Sequence, residues 1–313
     1  MTLNSASVPT MACDLGYMSR EGLDAEIVEC DGSPDALALL KKGDAQFAQV
    51  NIPPVIEGVA RGNRLRVVWG SVHGDPLKAA AAAPASPEAG LILVASSSLS
   101  KVGQLRGARI GISGKGATNH LSVVSLLREH KIDPETGVRW VEGGTPIDRV
   151  NKLILGKIDA MVTTSQTLAL FPSTRDSFRI LASGRDFNRV GAIAFLVVVT
   201  TEKLALAEPH TVLSAVKALI KAARELGQDQ QKWVEAAARR RPEVPREAIV
   251  KGWEMSRGHW PVNGRLDPKT VERAAKTLRK SGQVSKVPSG PYKEWVDMRF
   301  VDEALKELGE WKD

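Results

Sequence analysis

Four short polar turns contain the residues of this sequence whose types and spacing suit chemistry, and each lies where a strand leads into a helix. They span residues 4–9, 51–54, 113–120 and 163–166. Free N–H groups at a helix start, assisted by the helix dipole, bind anions. In open α/β sheets, ligands bind beyond the carboxyl ends of the strands, where such turns lie. Ordinary helix capping is the preferred explanation of any single turn, but the four turns together predict a shared anion site.

Motifs for catalysis, metal binding or nucleotide binding are absent from the sequence. There is no Gly-x-Ser-x-Gly, no Cys-x2-Cys and no His-x3-His, and the five histidines are scattered. The Gly114-Lys115-Gly116 segment lacks the third glycine of the dinucleotide-binding motif Gly-x-Gly-x-x-Gly. It also lacks the Gly-x4-Gly-Lys-Ser/Thr spacing of the loop that binds nucleoside triphosphates. A nucleophilic role for Cys13 needs a partner base that the sequence does not reveal. We predict a binding protein that has no catalytic residues, no metal and no cofactor.

Two further side chains are candidates for the same anion site. Trp69 stands in a predicted strand, residues 67–71, and is predicted to reach the ligand, with core packing as the alternative. Arg185 precedes a later apolar run and could meet an anion, with a surface position as the alternative.

An internal duplication indicates how the turns are positioned. Residues 22–47 and 132–162 share one order: a short strand, Gly-Ser/Thr-Pro, a one-sided helix, a glycine, an Asp-Ala pair and another strand. Ser33 and Thr145 are predicted to cap the helices, and Gly43 and Gly156 to end them in the left-handed conformation. A helix that connects two strands makes them parallel. The duplication predicts two lobes of one α/β architecture.

Composition and charge narrow the class of protein. The chain has 313 residues, which suggests about two domains, and 43% of them are hydrophobic, enough for a sizeable core. The apolar run 190–199 is too short to span a membrane. Two cysteines exclude a disulfide scaffold.

The net charge of +7 is concentrated in residues 201–313, which hold 22 Lys and Arg against 17 Asp and Glu. Interleaved charges there predict solvated helical faces in preference to nucleic-acid binding.

The remaining pattern predicts the other elements. Strands are expected at residues 91–95, 109–113 and 192–200, because these runs are apolar and of strand length. Helices with a spacing of 3.6 residues are expected at the following positions: 213–226, 271–278 and 301–308.

The order of these motifs resembles that of the solute-binding proteins of ABC importers for sulfonates, taurine, nitrate and thiamine-pyrimidine precursors. Residues 16–62 look like the first lobe of that family, and residues 98–132 resemble the entry to its second lobe. LILGKIDAMV, residues 153–162, and WVDMRFVDEALKELG, residues 295–309, are similar as well. The resemblance covers about Gly16 to Gly309.

This resemblance implies a two-lobe periplasmic-binding-protein (type II) fold. Each lobe would be a mixed, mostly parallel sheet flanked by helices, and two crossover strands, at 91–95 and 192–200, would join the lobes. Lobe I would be residues 1–95 plus 200–313, and lobe II residues 96–199. Hinge closure would capture a small organic anion for an ABC permease and its ATPase. The expected protein is periplasmic, monomeric, not membrane-spanning and not bound to nucleic acid.

The resemblance also assigns pocket residues by position. Together with Trp69 and Arg185, they are Asn4, Ser5, Ser7, Asn51, Ile52, Gly116, Ala117, Thr118, Asn119, Thr164 and Ser165. Sulfonate-binding relatives often have serine at the position of Ala117, so both a sulfonate and a carboxylate, aromatic or aliphatic, stay open as the ligand. An enzyme on the same fold, a desulfinase or decarboxylase for aromatic acids, is the alternative function. Since the family opens with a strand before the first turn, we expect the chain to lack upstream residues, including a signal peptide.

Overall fold

Strands and helices alternate along most of the chain, as the apolar patterning predicts. The computed structural model describes residues 7–30, 32–71, 91–168, 171, 177–191, 195–242, 244–257 and 260–312. The strands are β1 (Phe47–Asn51), β2 (Leu65–Gly70), β3 (Leu91–Ser96), β4 (Arg109–Ile112), β5 (Arg139–Glu142), β6 (Ala160–Thr164), β7 (Phe178–Ala182) and β8 (Leu196–Thr201). The helices up to β8 are α1 (Val8–Asp14), α2 (Tyr17–Arg20), α3 (Ser33–Lys42), α4 (Ile52–Ala60), α5 (Thr118–Glu129), α6 (Pro146–Ile154), α7 (Ser165–Leu168) and α8 (Gly184–Arg189). Those after it are α9 (Glu202–Ala207), α10 (Pro209–Gln228), α11 (Gln230–Arg240), α12 (Arg246–Ser256), α13 (Pro268–Lys280) and α14 (Arg299–Leu308).

The described strands form two sheets. The three-stranded sheet has the order β1-β8-β2, and β8 runs antiparallel to both neighbours. The five-stranded sheet has the order β5-β4-β6-β3-β7, in which β4 is parallel to β5 and β6, and β3 is antiparallel to β6 and β7. A mostly parallel sheet is therefore wrong for the three described strands of the first sheet. The reason is that β8 inserts between β1 and β2 in the reverse direction.

The two strands predicted as crossovers are both present, and each pairs within one sheet only. β3 lies wholly in the five-stranded sheet. β8 starts at Leu196, and positions 192–194 of the predicted strand lie outside the described residues. As the central strand of the three-stranded sheet, β8 joins two strands from the first 70 residues to the helices that follow it.

Apolar residues cover both faces of each sheet because their side chains alternate along the strands. In β8, Val197 and Val199 pack with α4 and α13, whereas Val198 packs with α1 and α10 on the opposite face. In β3, Leu93 and Ala95 pack with α5, whereas Ile92 and Val94 pack with α6. The helices predicted at 213–226, 271–278 and 301–308 are confirmed as α10, α13 and α14. Each sheet is thus the middle layer of a helix–sheet–helix arrangement.

The duplicated segments form corresponding helices, α3 and α6, but their surroundings differ. Thr145 caps α6 as predicted: its hydroxyl accepts a hydrogen bond of 3.2 Å from the Asp148 N–H. The prediction that Ser33 caps α3 is wrong, because the Ser33 hydroxyl accepts from the Asn51 N–H at 3.0 Å instead. Residues 23–30 were expected to be a strand and form none, since no described strand pairs with them. Gly43 ends α3 at φ 86°, as predicted.

The Asp-Ala pair of the duplication has a structural role in the second copy. The Asp159 carboxylate accepts hydrogen bonds from the Arg109 backbone N–H at 2.7 Å, from Nε at 3.0 Å and from Nη2 at 2.7 Å. The hydrogen bonds from Arg109 hold the pKa of Asp159 below its usual range. The equivalent Asp44 is exposed.

We expect Asp159→Asn to lower the free energy of unfolding by about 1–2 kcal/mol, since both side chains are partly exposed and only the charge-assisted part of the contact is lost. Because the folded-state pKa of Asp159 is lowered, its contribution is present above the unfolded pKa and is lost as the pH falls through the folded one. Urea unfolding at pH 7 and pH 3 measures both effects. The duplication supplies the matched control, Asp44→Asn, which should change stability by less than about 0.5 kcal/mol. Equal effects of the two substitutions would contradict this role for Asp159.

Candidate functional site

The third and fourth polar turns lie side by side at one edge of the five-stranded sheet. β4 and β6 are parallel, with Gly111 opposite Met161, so both strands end at the same edge. β4 leads through residues 113–117 into α5, and β6 leads directly into α7. β5 also ends there, with Glu142 opposite Ile112. The parallel register thus brings together two turns that are about 50 residues apart in the sequence.

The loop before α5 is held by its own polar groups. Gly116 adopts φ 81°, and its N–H donates to His120 Nδ1 at 3.1 Å. The Asn119 side-chain oxygen accepts hydrogen bonds from the Ser113 hydroxyl at 3.2 Å and from the His120 N–H at 2.9 Å. Ala117, the residue before the helix, is nearly buried and has no side chain that could cap it. The loop is therefore ordered, and at the helix start the His120 N–H is capped by Asn119 while the N-cap residue Ala117 provides no side-chain cap.

Several hydrogen-bond donors at this helix start have no acceptor. Among the described residues, the backbone N–H groups of Thr118 and Asn119 have no partner. The Thr118 hydroxyl is buried without a partner, and so is that of Thr163, one residue before the end of β6. An unsatisfied buried polar group costs about 1–3 kcal/mol. An oxygen-bearing anion placed at this helix start would accept such hydrogen bonds and offset part of that cost.

His120 is a member of this site that the predicted set, which stops at Asn119, does not contain. It is 8% exposed, and its ring packs edge-on against that of Trp140 with centroids 4.6 Å apart. Burial lowers the pKa of His120, so the neutral ring predominates at neutral pH. Because Nδ1 accepts from Gly116, the ring proton of the neutral form lies on Nε2, which is buried without a partner. The signal in the sequence is a histidine four residues after a glycine at a helix start.

The burial of neutral His120 predicts a pH dependence of stability. Its folded pKa lies below the unfolded value of about 6.5, so its contribution is complete above that pH and is lost as the pH falls below it. Between pH 7 and pH 5, the wild type should lose more unfolding free energy than His120→Gln does. Chemical denaturation at several pH values tests this. His210→Gln, which removes an exposed histidine, should leave the slope of the wild type unchanged, and a slope unaffected by His120→Gln would refute the prediction.

The second turn differs from the prediction that its helix start offers free N–H groups. Asn51 ends β1 and precedes α4, whose first three residues are Ile52, Pro53 and Pro54. The prolines have no N–H, and the Ile52 N–H donates to the Phe195 carbonyl at 3.0 Å. Ile52 is also completely buried. The turn can therefore offer a ligand only the Asn51 side-chain amide, which is half-buried and has no hydrogen-bond partner among the described residues.

The segment that leads into α3 approaches the five-stranded sheet at this edge. A Cβ atom at position 32, just before α3, would lie 3.3 Å from the Ser113 hydroxyl oxygen. Ser33, the next residue, holds the Asn51 backbone through its hydroxyl, and Ser113 donates to Asn119. This chain of contacts brings the Asn51 turn of the three-stranded sheet near the α5 turn of the five-stranded one. The sequence predicted Ser33 to be a helix cap and gave no sign that its hydroxyl binds the backbone of Asn51.

The remaining predicted site residues have varied positions. Asn4 and Ser5 lie outside the described residues, and so does the side chain of Ser165. Ser7 caps α1, and Thr164 accepts a 3.2 Å hydrogen bond from the Thr167 N–H. Arg185 is exposed on α8. Trp69 belongs to β2, and its side chain is fully buried in the core that β2 forms with the surrounding helices. The expectation that it reaches an open site is therefore wrong.

Neither a metal cluster nor a membrane span is found in the described part of the chain. Within those residues, no three His, Cys, Asp or Glu side chains are grouped as metal ligands would be. None of the described helices has both the length and the apolar character that crossing a membrane requires.

Comparison with known proteins finds one family model that matches this chain and many solved structures that resemble it. The family model described as NMT1/THI5 like matches residues 7–232. No curated protein matches the sequence significantly. Among solved structures, the alkanesulfonate-binding protein SsuA from Xanthomonas axonopodis pv. citri, bound to MOPS, is 18% identical with a TM-score of 0.67, over 91% of this chain and 93% of SsuA.

Two further structures show how widely this architecture is used. A Candida albicans protein with the generic periplasmic binding protein fold is 15% identical with a TM-score of 0.68, over 97% of this chain and 92% of that protein. The desulfurization enzyme DszB is 16% identical with a TM-score of 0.61, over 96% of each chain. Structural similarity at these low sequence identities establishes the fold of this chain. Its activity has to be inferred from the residues of the candidate site.

Proposed function

The chain belongs to the NMT1/THI5-like family, and from this premise we propose that it is the solute-binding component of an ABC importer. One lobe would be built on the three-stranded sheet, which includes β8, and the other on the five-stranded sheet, which includes β3, so the predicted boundaries at residues 95 and 199 each move to the start of these strands. A small organic anion, a sulfonate or a carboxylate, would bind between them, and hinge closure would present it to a membrane permease and its ATPase. The proposed location is the periplasm.

The observation that carries this proposal is the start of α5, whose N-cap residue Ala117 provides no side-chain cap. Two backbone N–H groups, the Thr118 hydroxyl and the neutral His120 Nε2–H have no acceptor there among the residues that the structure describes. A Cβ atom at position 32 would lie 3.3 Å from the Ser113 hydroxyl oxygen, and Ser33 binds the Asn51 backbone N–H, which supports a role for the Asn51 turn in the same site. A set composed of hydrogen-bond donors, supported by a helix dipole, fits an anion with several oxygen atoms.

An enzymatic role is the competing proposal, because DszB shares the fold. DszB has also been solved as a cysteine-to-serine variant in complex with biphenyl-2-sulfinic acid. Here Cys13 is half-buried, and burial together with the neighbouring Asp14 raises the pKa of its thiol to about 11. A thiol with so high a pKa is almost entirely protonated at neutral pH and is a poor nucleophile. Cys13 therefore gives no support to covalent chemistry.

A ligand screen tests the proposal directly. Alkanesulfonates, taurine and aliphatic and aromatic carboxylates are added singly, and the unfolding temperature is measured, followed by calorimetry of any hits. A ligand that binds only the folded state at 100 times its Kd adds about 2.7 kcal/mol of stability. Saturable one-to-one binding without chemical change of the ligand supports the binding role. Turnover of a hit would favour the enzyme, and the absence of any hit among these anions would overturn the proposed ligand class.

A further inference from the structure

A cavity lies outside the candidate site, on the surface formed by α2, α10 and α11. Its volume is about 530 Å³, within the range of small-molecule sites. It is lined by Tyr17, Arg20, Lys221, Arg224, Glu225, Gln228 and Lys232. None of these residues belongs to the four polar turns, so we call it the basic cavity and consider it separately.

The basic cavity carries more positive charge than its own carboxylates neutralise. Lys232 pairs with Glu225, and Lys221 pairs with Glu21 just behind the wall. Arg20 and Arg224 have no carboxylate partner among the described residues. Arg20 donates to the Leu15 carbonyl at 3.2 Å and stands 4.3 Å above the Tyr17 ring. The two unpaired guanidinium groups leave an excess of two positive charges.

Arg224 is held in place by uncharged acceptors and has no carboxylate partner in the described part of the chain. Its guanidinium donates to the Val262 carbonyl at 2.8 Å, to the Gly309 carbonyl at 2.7 Å and to the Asn263 side-chain oxygen at 3.0 Å. Burial removes this guanidinium partly from water and so lowers the pKa of Arg224. A fixed, partly desolvated cation attracts an anion more strongly than a flexible surface lysine does.

We propose that the basic cavity is a second anion site and that it takes a small dianion, a phosphate or a dicarboxylate. The excess of two charges matches the ligand charge. Arg20 has donors left over after its bond to Leu15, and its planar fork suits either kind of oxyanion. Tyr17 and Arg224 form rigid walls around it. This inference is independent of the proposed transport function, since it uses no residue of the α5 site.

Titration calorimetry at low ionic strength, with inorganic phosphate and with malonate as probes, tests the proposal. Arg20→Gln removes one positive charge and should weaken binding about fivefold, whereas Glu225→Gln removes the competing carboxylate and should tighten it about fivefold. Arg246→Gln, which removes an exposed arginine on α12, is the matched control and should have no effect. Added salt should weaken binding in every variant.

Measurements are repeated with the Asn119→Asp variant so that binding at the α5 turn does not interfere. Opposite shifts of Kd for Arg20→Gln and Glu225→Gln support the basic cavity, because a general loss of structure cannot tighten binding. If neither probe binds, or if both variants bind as the wild type does, the proposal is overturned. Circular dichroism of each variant verifies that the fold is retained.

Discussion

Asn119→Asp should weaken binding of the organic anion by about 100-fold while leaving the fold intact. The substitution keeps the side-chain oxygen that accepts from Ser113 and from the His120 N–H. It adds a negative charge at the helix start where the anion is proposed to bind, and juxtaposed like charges cost several kcal/mol. Folding should not suffer, because a carboxylate near a helix N-terminus is stabilising by about 0.3–1 kcal/mol. Calorimetry with the hit of the ligand screen, together with urea unfolding, measures both quantities.

Asn63→Asp is the matched control for this prediction. Asn63 is exposed and lies just before β2, at the end of the three-stranded sheet opposite Asn51. The same change of charge there should alter Kd by less than about twofold. If Asn119→Asp binds the ligand as tightly as the wild type does, the anion is not held at the start of α5 and the proposed site is wrong.

Gly264→Ala should lower the free energy of unfolding by about 3 kcal/mol. Gly264 adopts φ 66°, a left-handed conformation that costs an alanine about 1–2 kcal/mol. A Cβ atom there would also overlap the indole of Trp69, which is 0% exposed and cannot move aside. Overpacking of a buried position adds about 1–3 kcal/mol. The carbonyl of Gly264 accepts from the Gly70 N–H at 2.8 Å, so any displacement also disturbs β2.

Gly62→Ala separates the two causes. Gly62 has φ 90°, but a Cβ atom there would meet no other atom within 4 Å. Its substitution should therefore cost only the backbone part, about 1–2 kcal/mol. Equal losses for the two variants in urea unfolding would show that the Trp69 contact contributes nothing.

Periodicity predicted the elements well because it depends on which face of each element is buried. The apolar runs at 91–95, 109–113 and 192–200 became β3, β4 and β8, and the three spaced helical patterns became α10, α13 and α14. The prediction that Thr145 caps its helix was right because the cap involves only residues of the same turn. It failed at Ser33, whose hydroxyl serves the backbone of Asn51, 18 residues away.

The turns of the candidate site could be predicted from the sequence, whereas the hydrogen bonds within them could not. A glycine, a histidine and polar residues around the start of α5 are visible in the sequence, but the use of the Ile52 N–H by Phe195 is not. The sequence around Trp69 predicts a strand end, and this pattern is the same whether the side chain faces a ligand or the core. Only its neighbours, Gly264 among them, place it in the core.

The sequence by itself determined the mixed α/β class, the boundaries of most elements and the candidate turns, because these depend on neighbours along the chain. The tertiary structure alone decided that β8 lies between β1 and β2, that Gly32 meets Ser113, and which donors at α5 remain free. These features depend on contacts between residues tens to about 150 positions apart. Local propensity carries no information about such partners, since each is selected by the packing of the whole chain.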